Sequence, residues 1–283
     1  MISRRPAPLR WARGFIFVAS LVVPSSAITH DLWLLAGQYR LQPSETTRVF
    51  INSGDRFPES LSLLGEHRVT ALALHTPGEP GEKVPITEFR VEGKSLTFEI
   101  TPAVAGSHVV ALSTRARRVR LKAEDFRTYL EANALDAISK SLSELGEERQ
   151  PAVERYAKWA KAIIDVGELG DEEDDSAWSR LVGHTIEIVP LANPNSVPPG
   201  GRLQVRVVYD GEPLAGASVT GGKAGSSEAE VVAVTDADGI AEVSLLSAGR
   251  WYLRTIHMIR LEGDPEVRWE SFWATLTFEL RAS

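Results

Sequence analysis

"GRWYLRTIHMIRL" (249–261) and "WESFWATLTFEL" (269–280) decide the fold. In the first, Trp251, Leu253, Thr255, His257 and Ile259 fall on alternate positions. In the second, Glu270, Phe272, Ala274, Leu276, Phe278 and Leu280 do the same. Period-two patterning of this kind reads as two strands, each with one face toward a core. A short loop joins them, so a hairpin is expected with His257 and Glu270 on the same side near one end. A carboxylate on an apolar face needs a partner, because burying it alone is costly. A histidine could supply it, either as a structural pair or as a metal ligand with its orienting carboxylate.

Working outward, the same grammar runs back to residue 184. "HTIEIVPL" (184–191), "RLQVRVVY" (202–209), "ASVTGG" (217–222), "EVVAVT" (230–235) and "IAEVSLL" (240–246) are short strands separated by Gly, Pro and Asp. This spacing suits an immunoglobulin-like sandwich. "TRVFIN" (47–52), "VTALALH" (69–75), "SLTFEI" (95–100) and "GSHVVALS" (106–113) repeat it in the first half. "TPAVAGSHVVAL" and "LSAGRWYLRTIH" each place a glycine before an alternating strand that carries a histidine, which suggests two related sandwiches. Between them, "AEDFRTYLEANALDAISKSLSELG" (123–146) and "PAVERYAKWAKAIID" (151–165) show helical spacing, and Pro151 suits a first helical position. "ELGDEEDDS" (168–176) then reads as an acidic linker. The expected architecture is therefore mainly β: two immunoglobulin/transthyretin-like antiparallel β-sandwich domains with a two-helix insertion between them. The divisions are 28–118, 119–178 and 179–283.

Residues 1–27 read as an export signal. Arg4, Arg5, Arg10 and Arg13 precede the apolar "GFIFVASLVV" (14–23), and Ser25 and Ala27 supply the small residues of a cleavage site near Ala27-Ile28. The run is short for a bilayer span, so a soluble periplasmic or secreted mature chain with no membrane span is expected. The chain has no cysteine, which removes disulfides, thiolate metal sites and cysteine catalysis. Its net charge of −7 argues against nucleic acid as a partner.

Catalytic motifs are absent: no P-loop, GxGxxG, HExxH or GxSxG occurs, so a non-enzymatic role is expected. "GGKAGSS" (221–227) reads as a hairpin loop, and "DADG" (236–239) as a turn rather than a calcium loop. The histidines carry the remaining chemistry. His108 alternates with Val110 and Leu112, as a buried core histidine or as a ligand. If cleavage follows Ala27, His30 becomes the third residue of the mature chain. A free amine, two backbone amides and that imidazole can then wrap Cu(II) or Ni(II) in a square plane. The bland alternative is a histidine that merely begins a strand.

The sequence also resembles the DUF4198 family, whose members are described as periplasmic components of nickel or cobalt uptake systems. "THDLWLLAG", "AGSHVVALSTR", "LKAEDFRTYLEANALDAI", "ERYAKWAKAII", "TDADGIAEVSL", "GRWYLRTIHM" and "WESFWATLTFEL" carry the resemblance over nearly the whole mature chain. It implies a second domain of the transthyretin or carboxypeptidase-regulatory type. It also implies a Ni(II) or Co(II) site drawn from His30, Asp31, His108, His257 and Glu270, and a membrane permease as partner. One departure stands out. Where many members carry a histidine followed by Gly-Glu-Gly, this chain reads "NSGDRFPES" (52–60), keeping Gly54 and the acid Asp55 but not the histidine. The competing expectation is a cell-envelope sandwich module that recognises a protein or glycan and has no metal role.

Overall fold

The computed structural model describes residues 30–78, 83–168, 176–226, 231–264 and 266–281. The stretch read as an export signal with its expected cleavage point, and most of the acidic stretch, lie outside the described residues.

The first half supplies β1 (Asp31–Ala36), β2 (Arg40–Leu41), β3 (Thr47–Gly54), β4 (Val69–His75), β5 (Lys83–Pro85), β6 (Arg90–Glu92), β7 (Ser95–Ile100), β8 (Gly106–Thr114) and β9 (Arg117–Leu121). Helices α1 (Ala123–Ala132) and α2 (Asp136–Glu144) follow. The second half supplies β10 (Ala152–Val166), β11 (Ile186–Pro190), β12 (Gly201–Tyr209), β13 (Glu212–Pro213), β14 (Ser218–Lys223), β15 (Val231–Val234), β16 (Ile240–Leu245), β17 (Gly249–Arg260) and β18 (Trp269–Leu280).

The strands form two sandwiches. A small sheet, β1-β3-β7-β6, covers one end of a ten-stranded sheet, and a second small sheet, β11-β12-β13 with β16, covers the other. The large sheet runs β15-β14-β17-β18-β10-β8-β4-β5, with β2 and β9 also pairing to β10. Leu34, Ile51, Leu96, Val110, Leu112 and Ile164 fill the first core. Ile188, Val205, Val243, Trp251, Leu253, Leu276 and Phe278 fill the second. The β17–β18 hairpin is as the alternation requires, with Trp251 opposite Phe278 and His257 opposite Phe272.

One expectation fails. Residues 151–165 form not a helix but a fifteen-residue strand, β10, at the middle of the large sheet. It pairs parallel with β18 and antiparallel with β8 and β9. From Ala160 to Val166 every residue is buried, because sheets and cores cover both faces. A strand buried on both sides shows no alternation, and the Ala- and Lys-rich sequence imitates helix spacing. Tertiary pairing outweighs the helix propensity. The two helices that do form both come from 123–146, and the chain breaks between them at Ala134, where φ is +52°. Their apolar faces (Phe126, Tyr129, Leu130, Leu142) cover Ile256, Met258, Trp269 and Trp273 of the β17–β18 hairpin.

Candidate functional site

The β1–β3 ladder sets Asp31 against Gly54. Continued by one rung, that register places His30 against Asp55, and His30 Nδ1 lies 2.5 Å from Asp55 Oδ1. The side chains remain 31% and 52% exposed, so solutes can reach the pair. The His30 carbonyl accepts a hydrogen bond from Lys158 Nζ of β10, which fixes the backbone at this corner. The acid kept in "NSGD" is thus the partner of the histidine in "THD", although 25 residues separate them in sequence.

The other expected ligands are engaged elsewhere. Asp31 is buried, and Arg254 Nη1 reaches both its carboxylate oxygens, at 3.1 and 3.0 Å. His108 is fully buried on the core face of β8, opposite Ile164. Its Nδ1 lies 3.1 Å from the Gly106 carbonyl oxygen, its Nε2 has no partner among the described residues, and burial lowers its pKa. Glu270 does share a sheet face with His257, but it pairs with Arg155, whose Nε and Nη2 donate at 2.7 and 2.8 Å. The parallel register, Arg155 beside Glu270, accounts for this. His257 instead packs against the rings of Tyr209, at 4.6 Å between centroids, and Phe272, at 6.3 Å. Burial lowers its pKa too.

The structure therefore joins His30 to Asp55 and leaves His108, His257 and Glu270 apart from them. Among the described residues, no three His, Asp or Glu side chains converge as a ligand cage. The metal chemistry available here is that of one accessible imidazole backed by a carboxylate. In the tautomer in which Nδ1–H donates to Asp55, the ring lone pair is on Nε2, the arrangement by which carboxylates orient metal-binding histidines.

Sequence reading missed Lys158, Tyr156 and Arg68, which line the cleft beside His30. Lys158 and Tyr156 were hidden in the segment read as a helix. Only a strand assignment for 151–165 would have put them on one face and pointed to them.

No helix among the described residues is long and apolar enough to cross a membrane. No curated protein matches the chain. Among solved structures, the D0-D1 domain of intimin is similar over 88% of this chain and 98% of its own, at 11% identity and a TM-score of 0.21. The Escherichia coli adhesin FdeC is similar over 89% and 64%, at 12% identity and a TM-score of 0.23. A mutant Salmonella alpha-2-macroglobulin is similar over 88% and 15%, at 11% identity and a TM-score of 0.24. Scores this low carry no functional inference. The family model described as a domain of unknown function, DUF4198, matches residues 27–259, and the chain belongs to that family.

Proposed function

We propose that this protein is a non-enzymatic, extracytoplasmic metal-binding protein that takes Ni(II) or Co(II) through His30 and passes it to a membrane permease. The observation that carries the reading is the 2.5 Å contact between His30 Nδ1 and Asp55 Oδ1 at an accessible corner. Imidazole and carboxylate donors suit both ions. A site with one strong protein donor and open positions binds reversibly, as a carrier must. Nδ1 engagement by Asp55 favours Nε2 as the donor atom. The square-planar amino-terminal mode, open also to Cu(II), needs Nδ1 itself and so requires Asp55 to let go. Export through residues 1–27 would place the protein where such a carrier works.

The test is native mass spectrometry of the exported, processed chain titrated with Ni(II), Co(II), Cu(II) and Zn(II). One equivalent of Ni(II) or Co(II) is expected, lost in His30→Ala. Asp55→Asn should weaken uptake roughly 10- to 100-fold, the usual cost of losing a carboxylate that orients a ligand. His257→Gln and Glu270→Gln should leave it unchanged, since Arg155 holds Glu270 and aromatic rings hold His257. Affinity raised rather than lowered by Asp55→Asn would assign the amino-terminal mode. No stoichiometric uptake of any ion would overturn the carrier reading and leave protein or glycan recognition in its place.

A further inference from the structure

A cleft of about 780 Å³ opens beside His30. Three separate segments bring cations to it: Arg68 from the turn before β4, Arg115, Arg117 and Arg118 from the β8–β9 connection and the start of β9, and Lys158 from β10. No Asp or Glu is among its lining residues. Backbone bonds hold these segments in place: Arg115 N–H donates to the Arg68 carbonyl at 2.7 Å, and Lys158 N–H donates to Thr114 Oγ1 at 3.0 Å.

Two of these cations are buried without a paired carboxylate. Arg68 is 8% exposed, its Nε has no hydrogen-bond partner among the described residues, and its guanidinium sits 5.7 Å from the centre of the Tyr156 ring. Lys158 is 7% exposed, with its Nζ 4.4 Å from the centre of the Trp273 ring and 5.4 Å from that of Tyr156. Lys158 Nζ donates to the His30 carbonyl and makes no ion pair with the carboxylates that act on it at a distance, Asp31 and Glu154. Asp31 is held by Arg254, and Glu154 accepts from Tyr129 and Ser271 at Oε1 while its Oε2 has no hydrogen-bond partner among the described residues. Glu266 holds Arg118 at 2.6 Å, which leaves Arg68, Arg115, Arg117 and Lys158 without an ion pair among the described residues. Burial lowers the pKa of Arg68. Placing cations in such a pocket is costly unless a negative charge enters with them.

We propose that this cleft binds a small organic anion bearing two or more carboxylate or phosphate groups. Arginine forks suit planar oxyanions, and the lysine adds a point charge. Leu32, Leu63, Leu64 and Val119 in the wall give an apolar part of the ligand somewhere to lie. The volume falls in the range of small-molecule sites and exceeds what one bare oxyanion fills. The inference stands without the metal reading, because its charges are cationic and its probes contain no metal.

The test is isothermal titration of the mature full chain, metal-free and at low ionic strength, with citrate, inorganic phosphate, pyrophosphate and the neutral control glycerol. One anion equivalent is expected, with affinity falling at least tenfold between 20 mM and about 300 mM salt as charge is screened. Binding of citrate without the phosphates assigns a polycarboxylate, and the reverse assigns a phosphate compound. The paired substitution Arg115→Gln/Arg117→Gln lies on exposed side chains and should fold normally while weakening binding more than tenfold. Lys158→Met should do the same if it folds. Arg202→Gln, on β12 and paired with Glu242, should change nothing. The proposal fails if no anion binds at low salt. It fails equally if binding survives Arg115→Gln/Arg117→Gln at full strength.

Discussion

Lys161 and Glu187 show how single residues hold this fold. Both are almost fully buried, 3.0 Å apart, and Glu187 also accepts backbone N–H bonds from Val182, Gly183 and His184. Burial pushes the Glu187 carboxyl up, yet Lys161 and these donors outweigh it and leave its pKa lowered. Lys161→Met leaves that carboxylate buried without its cation. It should cost about 3–5 kcal/mol in urea unfolding, the usual cost of breaking a buried pair from one side. Two neighbouring histidines give the cluster a pH dependence. Burial lowers His75 to about 4, helped by Lys83 and Arg180, and lowers His184 to about 3. Between pH 6.5 and about 4 the unfolded chain therefore binds more protons at these rings than the folded one, so stability falls as pH falls. The combined slope should reach at most roughly 2–3 kcal/mol per pH unit. Comparing urea midpoints at pH 7 and 5 for the wild type and for His75→Gln/His184→Gln checks this: the variant should lose much of the dependence. An identical slope in both would refute it. Little of this was legible in sequence, because neither Lys161 nor Glu187 could be placed beside His75 and His184.

At the scale of elements, legibility followed alternation. β16, with one wet face, announced itself that way, and the β17–β18 hairpin fell where its pattern put it although nearly all of β18 is buried. β10 did not, because both its faces are covered and its alanines and lysines suit a helix as well. That one misreading hid Arg155, the partner of Glu270, along with the Lys158 wall of the cleft. The glycines were read two ways, as the end of the strand "ASVTGG" and as the start of the loop "GGKAGSS", and Gly221 and Gly222 lie in β14. A Cβ at Gly221 would lie 2.4 Å from the Tyr252 carbonyl oxygen and 2.7 Å from Leu253 Cδ2, so glycine there lets β14 lie close against β17. Gly221→Ala should therefore destabilise by about 1–3 kcal/mol, the cost of overpacking a fixed interface. The opposite sign is expected between the helices. Ala134 holds φ at +52°, a left-handed conformation that costs a side chain about 1–2 kcal/mol. Ala134→Gly removes that strain at some entropic cost and should stabilise by a few tenths to about 1 kcal/mol. Urea midpoints report both, and a stabilising Gly221→Ala would show that the two strands can separate freely.

At the scale of the whole molecule, the two sandwiches are not independent bodies. The expectation of two sandwiches separated by a helical insertion treats the middle of the chain as a connector. Instead, β10 lies in the large sheet between β8 of the first half and β18 of the second. Ile163 and Val109, from the first side of that seam, sit in the second core beside Phe272 and Ala274. The helices then cover Trp269 and Trp273, which belong to the last strand. Each half thus completes the other. Calorimetry should show a single transition, with calorimetric and van't Hoff enthalpies in agreement, because no boundary between the halves is free of buried apolar contacts. The segment 179–283 expressed alone would strip one edge of β18 bare and expose Trp269 and Trp273. It should fail to give a cooperative transition and should aggregate through that edge. Two resolved transitions in the full chain, or a cooperatively folded 179–283 fragment, would mean that β10 only leans on β18 and that the second sandwich closes by itself.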